Sequence, residues 1–238
     1  MTHIMQYLPM RWATVCLAAF ALVLASCSSD DDDTPAKVAP TAEGTFVDTR
    51  DGHEYHWVKY GNLDWMTENF SYDINDANNS SIYQPDYDFY NKTNTEYLAK
   101  YGRLYTLNGA LKACPEGWRL PTDADWQNLE RTLGMSAKDA AGTDWRGHVA
   151  HSMFTMQGDT CALNLLLGGY YDSYWGMGTS FWRYMSTYGY YWTATADTTK
   201  SGQYYYFRKM AYNRDAVYRQ SMEPSNYMLS VRYVRDDQ

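Results

Sequence analysis

The chain between residues 44 and 66 has the pattern of antiparallel strands. Two sets of side chains alternate from 55 to 60, so that successive residues would face opposite sides of a sheet. The pairs Asp51-Gly52 and Gly61-Asn62 are typical of tight turns between strands. The folded domain is therefore predicted to begin with hairpins.

A first short helix is predicted after residue 106. Thr106 is placed to cap it, and the apolar spacing extends to Ala113. The buried residues of this helix would be Leu107, Ala110 and Leu111.

A second helix is predicted from a stronger signal. Pro121 fixes the backbone just before Thr122, whose hydroxyl can accept from a free amide one turn further on. Asp123 and Asp125 would lie in the first turn, where the helix dipole favours negative charge, and Asp125 is placed to complete a capping box. The buried face would comprise Trp126, Leu129 and Leu133, and Gly134 would end the helix.

The remaining middle segments are less regular. Residues 71–96 are polar and predict a long surface loop, whereas 136–154 favour further helical turns. The apolar run 163–167 predicts a core strand, followed by a loop that opens at Gly168-Gly169.

The N-terminus has the features of a secretory signal. Arg11 precedes an apolar run from 12 to 25, shorter than the roughly 20 residues that span a bilayer as a helix. Cys27 follows directly after Leu-Ala-Ser, an order that resembles a bacterial lipoprotein signal cleaved before the cysteine. We therefore expect residues 1–26 to be a signal peptide and Cys27 to carry the lipid that anchors the protein in the outer membrane.

Residues 27–43 are predicted to be an acidic tether. Four consecutive aspartates at 30–33 stay solvated and cannot pack, and a Pro/Ala/Thr stretch follows them. A spacer is the simple interpretation, but Ser-Asp-Asp-Asp-Asp behind the cysteine also resembles the surface-export signal of Bacteroidetes lipoproteins. We therefore expect the domain, residues 44–238, to lie on the cell surface, with the periplasmic side as the alternative.

Charge and composition exclude some partners. The net charge is −8, of which residues 30–33 contribute four units, so the domain itself is only mildly acidic. It lacks the basic stripe that nucleic acid would require, and we expect no nucleic-acid partner. The sequence after residue 27 has no apolar run long enough to span a membrane.

Five sequence blocks closely resemble the Fibrobacter succinogenes major paralogous domain of Bacteroidetes and Fibrobacteres surface lipoproteins. In order along the chain they are GTFVDTRDGHEYHWVKYGNLDWMTEN (44–69), YGRLYT (101–106), ACPEGWRLPT (113–122), GYYWTAT (189–195) and SVRYVRD (230–236). The resemblance implies an α+β fold like that of C-type lectins and formylglycine-generating enzymes, with two short helices beside an irregular antiparallel sheet. It implies no common activity.

The cysteines depart from the family pattern. Members often carry a cysteine where this chain has Tyr233, which would suit a bridge between the end of the first helix and the last strand. Here either Cys161 replaces that partner and forms a disulfide with Cys114, which would stabilise the fold by roughly 2–4 kcal/mol, or Cys114 is a buried free thiol.

Aromatic residues dominate 169–192 and 204–218, and they are the strongest indication of function. A rigid aromatic side chain with a polar tip offers a large contact area at low entropic cost, and Trp and Tyr faces stack on sugar rings. The alternative is that these residues fill an irregular core, and alternation in 203–219 directs about half of them inward. The candidate ligand-binding residues are Tyr171, Tyr174, Trp175, Trp182, Tyr184 and Tyr188.

Catalytic and metal signals are weak. The stretches 84–86 and 223–226 are similar to lectin calcium triplets but are misplaced or altered, and no complete set of six to eight oxygen ligands can be assembled. His53 and His56 would face opposite sides of a strand, and the pair His148 and His151 has no clear third ligand for zinc. The sequence has no nucleophile motif and no phosphate loop. We expect no enzyme activity, metal or cofactor.

The sequence thus predicts a non-catalytic surface lipoprotein that binds an extracellular glycan or protein through aromatic loops. The alternatives are a structural lipoprotein of envelope assembly, in which the aromatic residues are core, and a relative of the formylglycine-type oxidases that uses the two cysteines.

Overall fold

The computed structural model describes residues 38–83, 94–154, 162–172 and 181–237, which belong to one compact unit of the chain, 36–238. The predicted signal peptide, Cys27 and the acidic run lie outside these residues. No helix in the described ranges is long and apolar enough to cross a membrane.

The described residues form thirteen strands, four α-helices and one turn of 3-10 helix at Ala150–Ser152. The strands are β1 (Ala42–Asp48), β2 (His53–Tyr60), β3 (Leu63–Met66), β4 (Ser80–Ser81), β5 (Leu104–Tyr105), β6 (Asp144–Arg146), β7 (Tyr170–Asp172), β8 (Phe181–Arg183), β9 (Tyr188–Ala196), β10 (Tyr205–Ala211), β11 (Val217–Met222), β12 (Tyr227–Met228) and β13 (Val234–Asp236). The helices are α1 (Asn94–Tyr101), α2 (Leu107–Ala113), α3 (Asp123–Thr132) and α4 (Ala137–Ala141).

The strands pair into four antiparallel sheets. Two sheets have four strands, in the orders β1-β2-β3-β13 and β6-β11-β10-β9. A three-stranded sheet has the order β12-β7-β8, and β4 pairs with β5. The fold is therefore α+β, as expected, although its described residues form four α-helices where two were predicted and several small sheets in place of one.

The predicted helix starts are confirmed in detail. The Thr106 hydroxyl accepts from the Gly109 amide at the start of α2. At α3, the Thr122 hydroxyl accepts from the Asp125 amide while the Asp125 carboxylate accepts from the Thr122 amide, which is a complete capping box. Gly134 follows the helix with a φ of +108°, a conformation that favours glycine at a helix end.

Helix α3 packs its apolar face into the first of two core clusters. Trp126, Leu129 and Leu133 are buried there as predicted, and the Trp126 ring lies 4.9 Å from the ring of Trp65 on β3. The second cluster is more aromatic and is built around Tyr55, Phe70, Tyr105, Trp192 and Tyr233.

Three predictions, two about irregular segments and one about helix α2, were wrong. Helix α1 begins inside the predicted loop 71–96 and buries Tyr97 and Tyr101. Residues 163–167 form no strand, because Asn164 has a φ of +46° and interrupts the extended backbone, although Leu163 and Leu165 are buried. Leu111 is 55% exposed. The buried residues of α2 lie on the other side of the helix and are Leu107, Gly109, Ala110 and Ala113.

The segment 136–154 combines three kinds of structure. Helix α4 and the 3-10 turn match the expected helical turns, but strand β6 lies between them and joins the sheet edge through β11. This edge strand brings Trp145 onto the sheet that carries Tyr188, Tyr190 and Tyr218.

Candidate functional site

One row of side chains crosses all four strands of the sheet β6-β11-β10-β9. Trp145 on β6 is in register with Tyr218 on β11, which pairs with Lys209 on β10, which pairs with Tyr190 on β9. Residues in register on neighbouring antiparallel strands project from the same face of the sheet. The row therefore places one lysine among three aromatic rings.

The Lys209 ammonium lies over four aromatic rings. Its nitrogen is 3.9 Å from the ring centre of Tyr218, 4.9 Å from that of Trp145, 5.6 Å from that of Tyr188 and 5.9 Å from that of Tyr190. All four distances are within the range of cation–π attraction. The ammonium is thus held in an aromatic cage.

Burial and a neighbouring cation act against the positive charge of Lys209. Burial lowers the pKa of the Lys209 ammonium, and the nearby charge of Arg214 adds to the decrease, while Asp144 opposes it. The Arg214 guanidinium itself lies 5.1 Å from the Trp145 ring centre. Both cations therefore lie within 5.1 Å of the centre of one indole ring.

The cage continues onto the turn that precedes β9. Tyr184 is 50% exposed, and its ring lies 5.3 Å from that of Tyr188 and 5.9 Å from that of Tyr170. Trp145, Tyr188, Lys209 and Tyr218 are half-buried, whereas Tyr190 forms the buried floor. We call the accessible set Trp145, Tyr184, Tyr188, Lys209 and Tyr218 the aromatic face.

A buried ion-pair network supports the sheet from its other side. Arg208 alternates with Lys209 and points towards α3, where its guanidinium donates to Glu130 and Asp123 at 2.7 Å. Arg219 donates to both oxygens of Asp123, at 2.9 and 2.7 Å, and Arg146 donates to Glu130 at 2.7 Å. Three strands of the sheet are thereby fixed to one helix.

The network sets the charge state of Asp123. Burial alone would raise the pKa of this carboxyl, but the hydrogen bonds and charges of Arg219 and Arg208 outweigh burial and lower the pKa to about 2. Asp123 is therefore ionised at all but strongly acidic pH. The sequence suggested only a helix-dipole role for this residue, because its arginine partners lie 85 and 96 residues away in the chain.

The profile of the Fibrobacter succinogenes major domain matches residues 58–235, which include the whole aromatic face and the network behind it. The chain belongs to this family. No curated protein and no solved structure matches the chain significantly.

Within this Fibrobacter succinogenes major domain, the six predicted ligand-binding residues separate into three groups. Tyr184 and Tyr188 belong to the aromatic face. Tyr171 and Trp182 are register partners on β7 and β8 with ring centres 5.1 Å apart, and they lie on the opposite side of that sheet from Tyr170. The remaining two, Tyr174 and Trp175, lie outside the described residues.

The sequence singled out neither Trp145 nor Lys209. Trp145 lies on a three-residue edge strand that was expected to be helical, and no local pattern places it beside Tyr218. Lys209 falls inside the predicted contact segment 204–218, but one lysine in an alternating strand is the usual signature of a solvent-facing residue. Their proximity is visible only once the strand register is known.

Cys114 of the domain is a thiol that donates to the Trp118 carbonyl at 3.1 Å. Burial raises its pKa to about 11. Tyr233 is fully buried, and its hydroxyl donates to the Ala110 carbonyl, which joins the last segment of the chain to α2 without a covalent bond. Cys161 lies outside the described residues, so its pairing with Cys114 stays a prediction.

The potential metal ligands of the domain are dispersed. The described residues contain no group of three or more His, Cys, Asp or Glu side chains placed to hold an ion. The Glu223 carboxylate accepts from the Ser225 hydroxyl and from the Asn226 amide. The carboxylate of the altered triplet at 223–226 is therefore hydrogen-bonded within the triplet itself. His56 contacts Glu68 at 2.7 Å on the exposed side of β2.

Proposed function

We propose that this protein is a cell-surface lipoprotein whose domain binds an extracellular glycan through the aromatic face, without catalysing a reaction. The observation that carries the proposal is the row Trp145, Tyr218 and Lys209 with Tyr188 beside it, half-buried on one side of a sheet.

The chemistry of the face suits a sugar. Aromatic rings offer flat apolar surfaces to the C–H groups of a pyranose, while tyrosine hydroxyls and the lysine ammonium can bond its hydroxyl groups. Contiguous accessible aromatic residues on a soluble domain mark interaction surfaces more often than chance exposure does. A glycan satisfies both the apolar and the polar parts of this surface.

The construction of the sheet favours recognition of a ligand with little rearrangement. The buried pairs of Arg208 with Asp123 and Glu130, and of Arg219 with Asp123, fix the strands that carry the face. A surface that is ordered before binding loses less conformational entropy when the ligand arrives. The face can therefore bind without folding a new element.

The membrane anchor, the surface location and the lectin-like architecture are parts of the same proposal. Their support is the lipoprotein-type signal ending at Cys27, the acidic run at 30–33 and the family's occurrence in surface lipoproteins. A lectin-like fold agrees with the α+β composition and with the aromatic row on an antiparallel sheet.

A glycan array tests the proposal. The full chain in mild detergent should bind one or more glycans, and Trp145→Ala should weaken that binding at least tenfold while leaving thermal unfolding within a few degrees. Tyr204→Ala is the matched control, because Tyr204 is also half-buried and has a lysine, Lys200, 4.9 Å from its ring centre, but it lies outside the face.

Two results would count against the proposal. If the chain bound no glycan on the array, a protein ligand or a structural role in the envelope would be favoured instead. Equal losses with Trp145→Ala and Tyr204→Ala would show that the aromatic face has no special part in recognition.

A further inference from the structure

Lys209 is an unusual residue to place at the centre of a sugar-binding surface. Its ammonium is held 3.9 Å from the Tyr218 ring centre and 4.9 Å from the Trp145 ring centre. Among the described residues, its nitrogen has no carboxylate within salt-bridge distance, in contrast to Lys59, which pairs with Asp237 at 2.6 Å. A partly desolvated cation with only ring partners retains the capacity to bind an anion.

The charges around Lys209 also favour an anion. The Arg214 guanidinium lies 5.1 Å from the Trp145 ring centre, and Arg214 is exposed. Asp144 is the acidic group that acts on Lys209, and it neighbours Trp145 on the same edge strand. Lys209 and Arg214 therefore bring two cations within 5.1 Å of the Trp145 ring centre, and Asp144 is the carboxylate that acts on Lys209, in a chain whose net charge is −8.

The lowered pKa of Lys209 agrees with this environment. Burial and the charge of Arg214 both destabilise the protonated form of Lys209. Another positive group beside Lys209 would destabilise this form further. A ligand anion beside Lys209 would reverse that penalty.

We infer that the sugar recognised by the aromatic face is anionic, and that its carboxylate or sulfate group pairs with Lys209 while its ring stacks on Trp145 or Tyr218. This inference rests on the proposed function. A uronic acid, a sialic acid and a sulfated sugar share the required chemistry, namely an apolar ring face and a fixed negative charge. Lysine acts as a compact point charge with rotatable donors, which suits either anion without requiring bidentate geometry.

The test compares matched acidic and neutral probes. Binding of the full chain in mild detergent is measured for oligogalacturonides and their methyl esters, for sialyllactose and lactose, and for a sulfated and an unsulfated oligosaccharide of the same backbone. We expect the acidic member of at least one pair to bind at least tenfold more tightly, because a charge-assisted hydrogen bond is added. The preference should decrease with increasing salt.

Three variants assign that preference to the lysine. Lys209→Met keeps most of the aliphatic stem inside the cage and removes the charge, so it should abolish the preference for the acidic probe by weakening its binding more than that of the neutral probe. Lys209→Arg should retain the preference. Lys200→Met is the control, since Lys200 also lies over a tyrosine ring but outside the face.

The outcomes separate this inference from the proposed function. Equal binding of acidic and neutral probes by the wild-type chain would overturn the inference and leave glycan binding intact. An equal loss for both members of a pair in Lys209→Met would also overturn it, because it would assign the lysine a purely structural role. Failure to bind any glycan would overturn the proposed function and the inference together.

Discussion

Replacing Asp123 by asparagine tests whether the buried ion-pair network stabilises the domain. Asp123 is 5% exposed and accepts hydrogen bonds from Arg208 and from two nitrogens of Arg219. Asparagine has nearly the same shape but carries no charge. The substitution therefore leaves two buried guanidinium groups facing a neutral side chain.

The expected cost follows from two independent estimates. Removing one partner of a buried ion pair typically costs about 3–5 kcal/mol, because the other charge stays buried without compensation. The pKa of Asp123 is lowered from 3.8 to about 2, a difference that corresponds to roughly 2.5 kcal/mol. If the residue acted only through the helix dipole, as its position in the sequence suggests, the cost would be about 0.3–1 kcal/mol.

Urea and thermal unfolding distinguish the two explanations. We expect Asp123→Asn to lower the free energy of unfolding by about 2–5 kcal/mol and the Tm by on the order of 10 °C. Asp139→Asn is the matched control, since Asp139 lies in the first turn of α4 but is exposed. A cost for Asp123→Asn no larger than that of the control would refute the role of the network.

The pH dependence gives a second measurement of the same group. The pKa of Asp123 is lower in the folded state, so its contribution to stability is complete above about pH 4 and is lost as the pH falls from 3.8 towards 2. The wild-type chain should lose stability more steeply than Asp123→Asn over this interval. Parallel curves for the two proteins would contradict the lowered pKa.

Three further predictions concern single positions. Thr122→Ala should cost about 1 kcal/mol because the capping box is lost, whereas Thr122→Ser should be nearly neutral in the same urea titration. Gly169→Ala should cost at least about 2 kcal/mol more than Gly52→Ala. Both glycines have positive φ, but only at Gly169 would a Cβ clash with a carbonyl oxygen, that of Arg183. Equal unfolding midpoints for the two variants would contradict this. The Cys114 thiol, with a pKa of about 11, should resist alkylation at pH 8 in the folded protein and react after unfolding. Peptide mass spectrometry measures the extent of alkylation. Rapid labelling of the folded protein would argue against burial of the thiol.

The local features of the fold could be predicted from the sequence because their causes are local. The capping box at Thr122 and the glycine that follows α3 depend on neighbours within a few residues. The turn at Asp51-Gly52 likewise joins β1 and β2 as expected. In contrast, the apolar run around Leu165 is ambiguous, since burial can be achieved by an irregular segment as well as by a strand.

The candidate site could be predicted only in part because register decides it. The aromatic composition placed Tyr184 and Tyr188 among the candidate residues, but composition cannot distinguish the two sides of a sheet. Tyr171 and Trp182 therefore looked equivalent to them and lie on another surface. The position of Trp145 depends on β6 pairing with β11, a contact between segments 73 residues apart at Trp145 and Tyr218.

The sheet β1-β2-β3-β13 joins the first three strands of the domain to its last one. Asp64 on β3 accepts from Arg235 on β13 across a separation of 171 residues, and Arg232 bonds Asn69 across 163. While the chain is being synthesised, the edge of β3 that faces β13 has no partner until β13 has emerged, so completion of this sheet follows synthesis of the segments between them. For a lipoprotein exported across a membrane, as proposed above, this connectivity would keep the sheet incomplete until β13 has followed the rest of the domain across.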